Sequence, residues 1–366
     1  MAGLIIHEWI ANSGGSERVV KSYTNIYPDA DIFCLWNDGN DDLKSSSTRE
    51  SWISRTPLRR SKVLSIPFMP SVWSGLKPDN YEWALISSHL FSHHALRKFP
   101  ALARYIYVHT PARYIWEPSL DHRGHSLGAK SVSPVLRWYD KKNAQSNANI
   151  AANSHFVRER IMRCWGRDAR VIYPPVNVDE IQNRSYWADA LIGAERELLE
   201  SLPETFILGA SRFVAYKGLE RVIQGGESVQ VPVVIAGSGP GERELRRYAE
   251  TASVPVTFII RPSTPLLYAL YQRALVFVFP PIEDFGIMPV EAMATGTPVI
   301  VNTIGGTTES VVSGESGMHV HRWSGVEFVA AVDAASRLRG AGPAMQARLF
   351  SEAVFRERTK EWMRSE

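Results

Sequence analysis

Short runs of apolar residues alternate with segments of helical spacing along most of the chain. In the first half, such runs predict buried strands at residues 4–9, 31–35, 83–87, 104–108, 149–152 and 170–173. Apolar residues repeat at helical spacing over 154–165, and Ser154 stands at the expected N-cap position. This alternation predicts an α/β domain with a parallel sheet.

The same alternation restarts in the second half, with strands predicted at 205–209, 231–236, 256–260, 276–279 and 299–302. Between the halves, Pro174 and Pro175 interrupt the pattern and a polar, acidic stretch follows. We therefore expect an N-terminal domain over 1–176, a linker over 177–202 and a second domain over 203–344. Two doubly wound domains would face each other across a cleft at the carboxyl ends of their strands.

The composition fits two ordinary globular domains. The chain has 366 residues, 45% of them hydrophobic and 22% charged, which excludes disordered, collagen-like and coiled-coil classes. A net charge of +3 is too small to indicate nucleic-acid binding. Cys34 and Cys164 lie in no disulfide or zinc pattern, which favours a cytoplasmic location. No apolar run approaches the ~20 residues that span a bilayer, although contact with the inner face of the cytoplasmic membrane stays open.

The most informative segment covers residues 281–299, where a buried strand leads through a turn into a helix. Gly286 permits close backbone approach, and the helix is expected to begin near Ile287 with free N–H groups suited to a phosphate. Glu283 and Glu291 lie eight residues apart at this turn and helix. Carboxylates would repel a phosphate, so they are suited to accept hydrogen bonds from ribose or sugar hydroxyls.

A second segment, residues 209–218, follows the first strand of the same domain. It places Arg212 and Lys217 on the connection between strand and helix. A guanidinium and an ammonium together neutralise a diphosphate well. The two segments therefore predict a site for a nucleotide-diphosphate sugar.

The pairing of SRFVAYKG with EDFGIMPVE, a Glu-x7-Glu element, resembles the donor domain of retaining GT-B glycosyltransferases of family 4. The likeness extends to NSGGSERVV, YVHTPARYIW, IYPPVNVD, GGTTES and SGESGMHV, in this order along the chain. It implies two Rossmann-like domains, with the acceptor bound by the first and the donor by the second. It also implies a C-terminal helix over 345–366 that packs back on the first domain.

The resemblance assigns site residues individually. The implied catalytic set is His109, Arg212, Lys217 and Glu283. The implied donor-binding set is Gly14, Gly15, Arg212, Lys217, Gly237, Ser238, Phe285, Gly286, Ile287 and Glu291.

In these roles, Arg212 and Lys217 would hold the diphosphate and stabilise charge on the leaving group. Glu291 would bind the ribose and Glu283 the transferred sugar, while His109 would lie near the reactive face of that sugar. The family retains anomeric configuration, needs no metal or cofactor, and uses a path in which the leaving phosphate helps deprotonate the acceptor.

The implied substrates follow the same resemblance. The segment YVHTPARYIW is similar to one in bacterial mannosyltransferases of surface-polysaccharide assembly, which favours GDP-mannose as donor and a saccharide or polyprenyl- or lipid-linked acceptor. A UDP- or dTDP-sugar stays open as the donor. The rival classes are an epimerase or phosphorylase of similar architecture and a non-catalytic nucleotide-sugar binding protein.

Three other patterns suggest chemistry but favour plainer interpretations. The run GSGPGE over 237–242 has Glu242 where a dinucleotide fingerprint needs its third glycine, which disfavours NAD. His89, His93 and His94 have helix-like metal spacing, but no carboxylate is evident nearby, and structural or solvated histidines are expected. The acidic loop 38–42 resembles a metal-binding DxD motif, and a solvated loop is expected there instead.

A basic stretch over 54–62 includes Arg55, Arg59 and Arg60, and apolar residues from Ile66 to Trp73 follow it. Basic residues beside exposed aromatic side chains suit the surface of an anionic membrane. An ordinary basic loop followed by core residues explains the pattern equally well, so both interpretations stay open.

Overall fold

A computed structural model of the chain describes residues 2–11, 14–39, 43, 45, 47–77, 80–117 and 127–364. The chain divides into two compact units. The first contains Met1–Pro175 and Ala353–Glu366, and the second contains Val176–Glu352.

The first unit is built on a parallel sheet whose described strands follow the order β3-β2-β1-β4-β5-β6-β7. The strands are β1 Gly3–His7, β2 Asp31–Cys34, β3 Thr48–Glu50, β4 Trp83–Ser88, β5 Ala103–Val108, β6 Asn149–Ala152 and β7 Arg170–Val171. Strand β1 pairs with β4 from Gly3 opposite Trp83 to His7 opposite Ser87. The chain therefore reverses its direction of winding between β1 and β4, where ligands bind in such sheets.

Helices cover the faces of this sheet. They are α1 Gly15–Ile26, α2 Lys62–Ser65, α3 Met69–Gly75, α4 Arg113–Trp116, α5 Leu127–Ala144, α6 His155–Trp165 and, from the end of the chain, α16 Glu352–Arg364. Helix α6 begins as predicted, because the Ser154 hydroxyl accepts a hydrogen bond from the Val157 amide at 3.0 Å. Short 3₁₀ segments at Trp52–Arg55, Pro57–Arg60, Ile66–Phe68 and Ser92–Lys98 complete the described part of the unit.

The second unit repeats the plan with the strand order β10-β9-β8-β11-β12-β13. Its strands are β8 Ile207–Arg212, β9 Val233–Ser238, β10 Val256–Ile260, β11 Val276–Phe279, β12 Val299–Asn302 and β13 Gly317–Val320. Its helices are α7 Val178–Gln182, α8 Ala194–Ser201, α9 Glu220–Val229, α10 Glu242–Ala249, α11 Thr264–Arg273, α12 Ile287–Ala294, α13 Thr307–Ser310, α14 Gly325–Ser336 and α15 Ala341–Arg348. In this sheet the direction of winding reverses between β8 and β11.

Both units are doubly wound and Rossmann-like, as the alternating pattern predicted. Their central strands are apolar on both faces because helices cover both sides of each sheet. In the second unit, for example, Val276, Phe277 and Val278 of β11 have no exposed surface.

Two predicted segments differ from the structure. The predicted linker over 177–202 contains helices α7 and α8 and belongs to the second unit. Trp187 shows the reason, since its ring is buried against Tyr268 with centroids 4.8 Å apart. The helix predicted over 345–366 is two helices, α15 and α16, separated at Leu349–Ser351.

Helix α16 packs within the first unit, as the resemblance implied. The ring of Phe355 lies 5.4 Å from that of Tyr23, and the Trp362 ring lies 5.3 Å from that of Tyr105. The Tyr105 hydroxyl also donates a hydrogen bond to the Met363 carbonyl at 2.9 Å. The end of the chain is therefore part of the first unit's core.

Candidate functional site

The end of β8 and the end of β11 carry the predicted cations and one predicted carboxylate. Arg212 is the last residue of β8, and Lys217 ends the 3₁₀ turn Ala215–Lys217 that follows. Glu283 lies in the loop between β11 and α12. The three residues therefore come from the two strands that flank the reversal of this sheet.

Lys217 and Glu283 form an ion pair across this reversal, with side chains only 12% and 19% exposed. The Lys217 ammonium also lies 5.2 Å from the centre of the Tyr216 ring. The Arg212 guanidinium donates a hydrogen bond to the Tyr216 hydroxyl at 2.8 Å. Tyr216 thus contacts both cations.

Glycines fix the loop that carries Glu283. Gly286 has φ +89°, and a Cβ there would lie 2.5 Å from the Thr307 side chain. A Cβ on Gly306 would lie 2.0 Å from the Asp284 carbonyl, and the Gly306 amide donates to the Glu283 carbonyl at 2.8 Å. The loops after β11 and β12 therefore pack too closely for other residues at these two positions.

The remaining predicted donor residues of this segment lie in or next to α12. Phe285 is buried, with its ring 5.4 Å from that of Phe350, so its side chain anchors the loop. Ile287 is the first residue of α12, where backbone N–H groups lack helical partners. Glu291 lies one turn further along and is buried, at 3% exposure.

Gly237 and Ser238 end the neighbouring strand β9, and Ser238 stands directly opposite Arg212 in the sheet register. Gly237 has φ +141°, and a Cβ there would lie 1.9 Å from the Ser211 carbonyl. These two predicted contacts therefore lie at the same edge of the second unit as the cations.

In the first unit, histidines stand at the ends of three adjacent strands. His7 is the last residue of β1, while His89 and His109 follow β4 and β5 directly. Their ring centroids lie 5.3 Å apart for His7 and His89, and 6.3 Å apart for His89 and His109. The predicted residue His109 thus belongs to a cluster at the carboxyl edge of the sheet.

Glu8 lies at the centre of this cluster and is fully buried. Its carboxylate lies 3.0 Å from Nδ1 of His89 and accepts hydrogen bonds from the amides of Leu90 and Ser92, both at 2.9 Å. Burial by itself raises the pKa of Glu8, but His89, His7 and the Ser92 amide together hold this pKa well below its ordinary value. Glu8 is therefore ionised at neutral pH.

His7 and His109 are held by the backbone and side chains of β4. Nδ1 of His7 lies 3.0 Å from the Ser87 carbonyl, so it carries the proton and donates. Burial, and next the proximity of His89, lowers the pKa of His7. Nε2 of His109 lies 2.8 Å from the Ser87 hydroxyl.

The predicted glycines Gly14 and Gly15 stand at the start of α1, which follows β1. Glu17, in the first turn of α1, lies close enough for its negative charge to raise the pKa of His7. The start of α1 thus belongs to the neighbourhood of the histidine cluster. Asn12 and Ser13 of the same loop lie outside the described residues.

His93 and His94 have a structural partner that the sequence did not reveal. Nε2 of each lies 3.2 Å from one oxygen of Asp140, a fully buried residue of α5. The other oxygen accepts hydrogen bonds from the indoles of Trp116 and Trp165, at 2.7 and 2.8 Å. Burial is the main cause that lowers the pKa of His94 to about 4. This network agrees with the expectation of structural histidines, and Asp140 is the carboxylate partner that was not evident in the sequence.

Two groups among the described residues place potential metal ligands close together: His7, Glu8 and His89, and His93, His94 and Asp140. In the second group both carboxylate oxygens already accept from N–H donors. In the first, Glu8 accepts backbone hydrogen bonds and Nδ1 of His7 donates to a carbonyl. These contacts favour hydrogen-bond networks over metal binding.

In the early acidic loop, Asp38 accepts a hydrogen bond from Nε of Arg59 at 3.1 Å, while Asp41 and Asp42 lie outside the described residues.

The basic and apolar stretch of the first unit is partly exposed. Val63, Leu64 and Phe68 are 57%, 63% and 43% exposed, and Phe68 packs edge-on against Trp52, which is 48% exposed. Met69 and Trp73 are buried in α3, which agrees with the interpretation of a basic loop followed by core residues for this part of the stretch. Across the described parts of the chain, no helix has the length and apolar character needed to cross a membrane.

Sequence reasoning missed Glu8 and His7 altogether and placed His89 among the structural or solvated histidines. The available signal was the His-Glu pair at the end of the first buried strand, because residues at the carboxyl ends of central strands lie at the ligand-binding edge of the sheet. Nothing in the sequence connects Glu8 with His89, which lies 81 residues away.

The second unit is similar to a known family. Residues 194–348 match the family described as Glycosyl transferases group 1. A GDP-mannose-dependent alpha-(1-6)-phosphatidylinositol monomannoside mannosyltransferase of Mycobacterium tuberculosis is 30% identical over 212 residues, 54% of each chain. A D-inositol 3-phosphate glycosyltransferase of Streptomyces bingchenggensis is 27% identical, over 68% of this chain and 57% of the relative. The chain spans about half the length of the curated relatives it matches.

Among solved structures, the crystal structure of Anabaena HepE in complex with UDP has a TM-score of 0.73, covers 100% of both chains and is 18% identical. Structural similarity at 18% sequence identity indicates a shared fold and does not indicate a shared activity. The fold is that of GT-B glycosyltransferases, with two Rossmann-like domains, as the resemblance implied.

Proposed function

Because residues 194–348 form a domain of the Glycosyl transferases group 1 family, we propose that the chain is a retaining glycosyltransferase that uses a nucleotide-diphosphate sugar. The observation that carries the proposal is the arrangement at the reversal of the second sheet. There, two cations, a carboxylate and the start of α12 come from the ends of adjacent strands. This edge is where doubly wound sheets bind their ligands.

In the proposed reaction, the bond between the anomeric carbon and the diphosphate breaks, and its electron pair leaves with the diphosphate oxygen. The acceptor hydroxyl oxygen forms the new bond to the anomeric carbon, and its proton passes to the departing diphosphate. Arg212 and Lys217 stabilise the negative charge that develops there, and backbone N–H groups at the start of α12 add to this stabilisation. Both cations contact Tyr216, which supports their action on a single diphosphate. Glu291 binds the ribose and Glu283 the sugar, without an enzymic nucleophile, metal or cofactor.

We favour GDP-mannose as the donor and a saccharide or lipid-linked acceptor. The Mycobacterium tuberculosis relative is GDP-mannose-dependent and acts on a phosphatidylinositol mannoside, which supports this choice. The HepE structure holds UDP, which supports a UDP-sugar as the alternative.

Thermal shift with GDP, UDP and dTDP at equal concentration tests the donor. We expect GDP to give the largest shift, because a ligand at about 100 times its Kd stabilises a protein by about 2.7 kcal/mol. A larger shift with UDP or dTDP would overturn the choice of base, and no shift with any of the three would contradict the proposed function.

The matching nucleotide sugar is then tested for transfer to octyl α-D-mannoside, with NMR of the product's anomeric proton, in the presence and absence of EDTA. The proposal expects an α-linked product and the same rate in EDTA. Loss of activity restored by Mn²⁺ would contradict metal independence, and binding without turnover would indicate a non-catalytic nucleotide-sugar binding protein.

We further propose that the first unit contacts an anionic membrane surface through the apolar patch formed by Trp52, Val63, Leu64 and Phe68. Arg55 and Arg60 are exposed in the adjoining 3₁₀ segments, so positive charge borders the patch. Exposed apolar side chains beside basic residues suit binding to anionic lipid headgroups.

Sedimentation with phosphatidylglycerol vesicles tests this contact. Substituting Arg55→Gln, Arg59→Gln and Arg60→Gln together should weaken binding on the order of 100-fold, since each basic residue near such a surface contributes about 1 kcal/mol. The matched control is Lys141→Gln with Lys142→Gln, two exposed cations of α5 in the same unit. Equal binding by the triple variant and the control would count against the patch.

A further inference from the structure

We infer that Arg261 determines the base specificity of the donor site by donating two hydrogen bonds to guanine, one to O6 and one to N7. The inference rests on the proposed function and concerns a residue to which the resemblance assigns no role. Its basis is the backbone conformation, the position and the side-chain contacts of Arg261, which lies with the proposed diphosphate site in the second unit.

The backbone conformation of Arg261 is unusual for a residue that carries a side chain. Among the described residues, Gln230 and Arg261 are the two non-glycine residues with a positive φ, at +53° and +51°. Gln230 caps the end of helix α9, where the left-handed conformation is common. Arg261 directly follows strand β10, so helix capping does not explain its conformation. Backbone strain of this kind is concentrated at ligand-binding sites, which makes Arg261 a candidate contact residue.

Arg261 lies at the carboxyl edge of the sheet that carries the proposed diphosphate site. Arg212 of β8 stands opposite Ser238 of β9. One residue earlier, Gly237 stands opposite Ile260 of β10, and the Arg261 amide donates to the Gly237 carbonyl at 3.0 Å. Arg212 and Arg261 are therefore two strands apart, or about 10 Å at a spacing of about 4.8 Å between strands. A nucleoside that extends from the diphosphate across the end of β9 is long enough to bring its base to Arg261.

The side chain of Arg261 is available to a ligand. Arg261 is exposed, and within the described parts of the chain its guanidinium takes part in no hydrogen bond or ion pair. Arg273 and Arg339 of the same unit differ, because both donate hydrogen bonds to backbone carbonyls. The strain at Arg261 is therefore not offset by a structural contact of its side chain with the described residues.

Guanine is the base whose acceptors match the fork of a guanidinium. Its O6 and N7 atoms are neighbouring acceptors, and an arginine donates one hydrogen bond to each. Thymine presents O4 alone on the corresponding edge, and uracil differs from thymine only by the missing methyl group. A contact of this kind therefore favours GDP-sugars over UDP- and dTDP-sugars.

Arg261→Gly tests the inference, because glycine adopts a positive φ without strain while the guanidinium is removed. We expect calorimetry to give a Kd for GDP about 10-fold to 100-fold above that of the wild type, the range for a bidentate contact with guanine. The Kd for UDP should rise by about threefold at most, and the melting temperature without nucleotide should not fall. The matched control is Gln230→Gly, the other non-glycine position with a positive φ, which should leave both Kd values unchanged.

7-Deaza-GDP, in which a C–H group replaces N7, tests which edge of the base is contacted. The wild type should bind it about tenfold more weakly than GDP, as expected for the loss of one hydrogen bond to a charged group. Arg261→Gly should bind the two nucleotides equally. Arg261→Lys keeps the charge but lacks the fork, so it should also lose most of the preference for GDP.

Unchanged binding of GDP by Arg261→Gly would overturn the inference. Equal weakening of GDP and UDP would overturn it too, because the guanidinium would then act on the phosphates. A wild type that prefers UDP, or that binds GDP and 7-deaza-GDP equally, would have the same consequence. These outcomes leave the proposed glycosyltransferase activity intact, whereas a wild type that binds no nucleotide and transfers no sugar would overturn both.

Discussion

Lys217→Ala is expected to lower kcat/KM for the nucleotide sugar by about 100-fold or more, the effect of removing one preorganised group that stabilises transition-state charge. Lys217 is only 12% exposed and is paired with Glu283, so its ammonium is held in position before any diphosphate arrives. An interaction that strengthens as the leaving group gains charge acts on the chemical step. The loss should therefore appear in kcat at saturating donor.

Two comparisons separate this effect from damage to the fold. Lys217→Arg keeps the positive charge and should retain more activity than Lys217→Ala, although the guanidinium has a different shape. Arg337→Ala removes an exposed ion-paired cation directly after α14 in the same unit and should leave kcat/KM within twofold. A Lys217→Ala protein that melts at the wild-type temperature and keeps wild-type kcat would contradict the leaving-group role.

The sequence predicted those elements whose apolar residues are continuous. Strands β10, β11 and β12 have the predicted bounds, because each is a largely apolar run between turn residues. Strand β3, Thr48–Glu50, escaped prediction because its side chains are all exposed and polar. It joins the sheet through backbone pairing with β2, which leaves no hydrophobic signal.

The candidate site divides in the same way. The sequence could predict Arg212, Lys217 and Glu283 as site residues, because each lies in a short motif next to the end of a strand. The spacing of residues within such a motif is visible in the sequence. The pairing of Lys217 with Glu283, 66 residues apart, depends on the order of strands in the sheet. Glu8 and His89 are related only through the pairing of β1 with β4, so their association required the fold.

Glu291→Gln is expected to raise the dissociation constant of the donor nucleotide about tenfold while changing kcat little. A tenfold change corresponds to about 1.4 kcal/mol, within the range for a hydrogen bond that involves a charged group. The ribose keeps its position as the bond to the diphosphate breaks, so its contacts act equally on the ground state and the transition state. The effect should therefore appear in the Kd measured by calorimetry.

Glutamine is the informative substitution because Glu291 is buried in α12, at 3% exposure, where alanine would also leave a cavity. Glu309→Gln, at a half-buried position of the short helix α13 in the same unit, is the matched control and should leave the Kd unchanged. If Glu291→Gln binds GDP and GDP-mannose with wild-type affinity, the ribose is held by other groups and the assignment of Glu291 fails. If kcat falls instead while the Kd stays constant, Glu291 acts on the reacting sugar, which would exchange its role with that of Glu283.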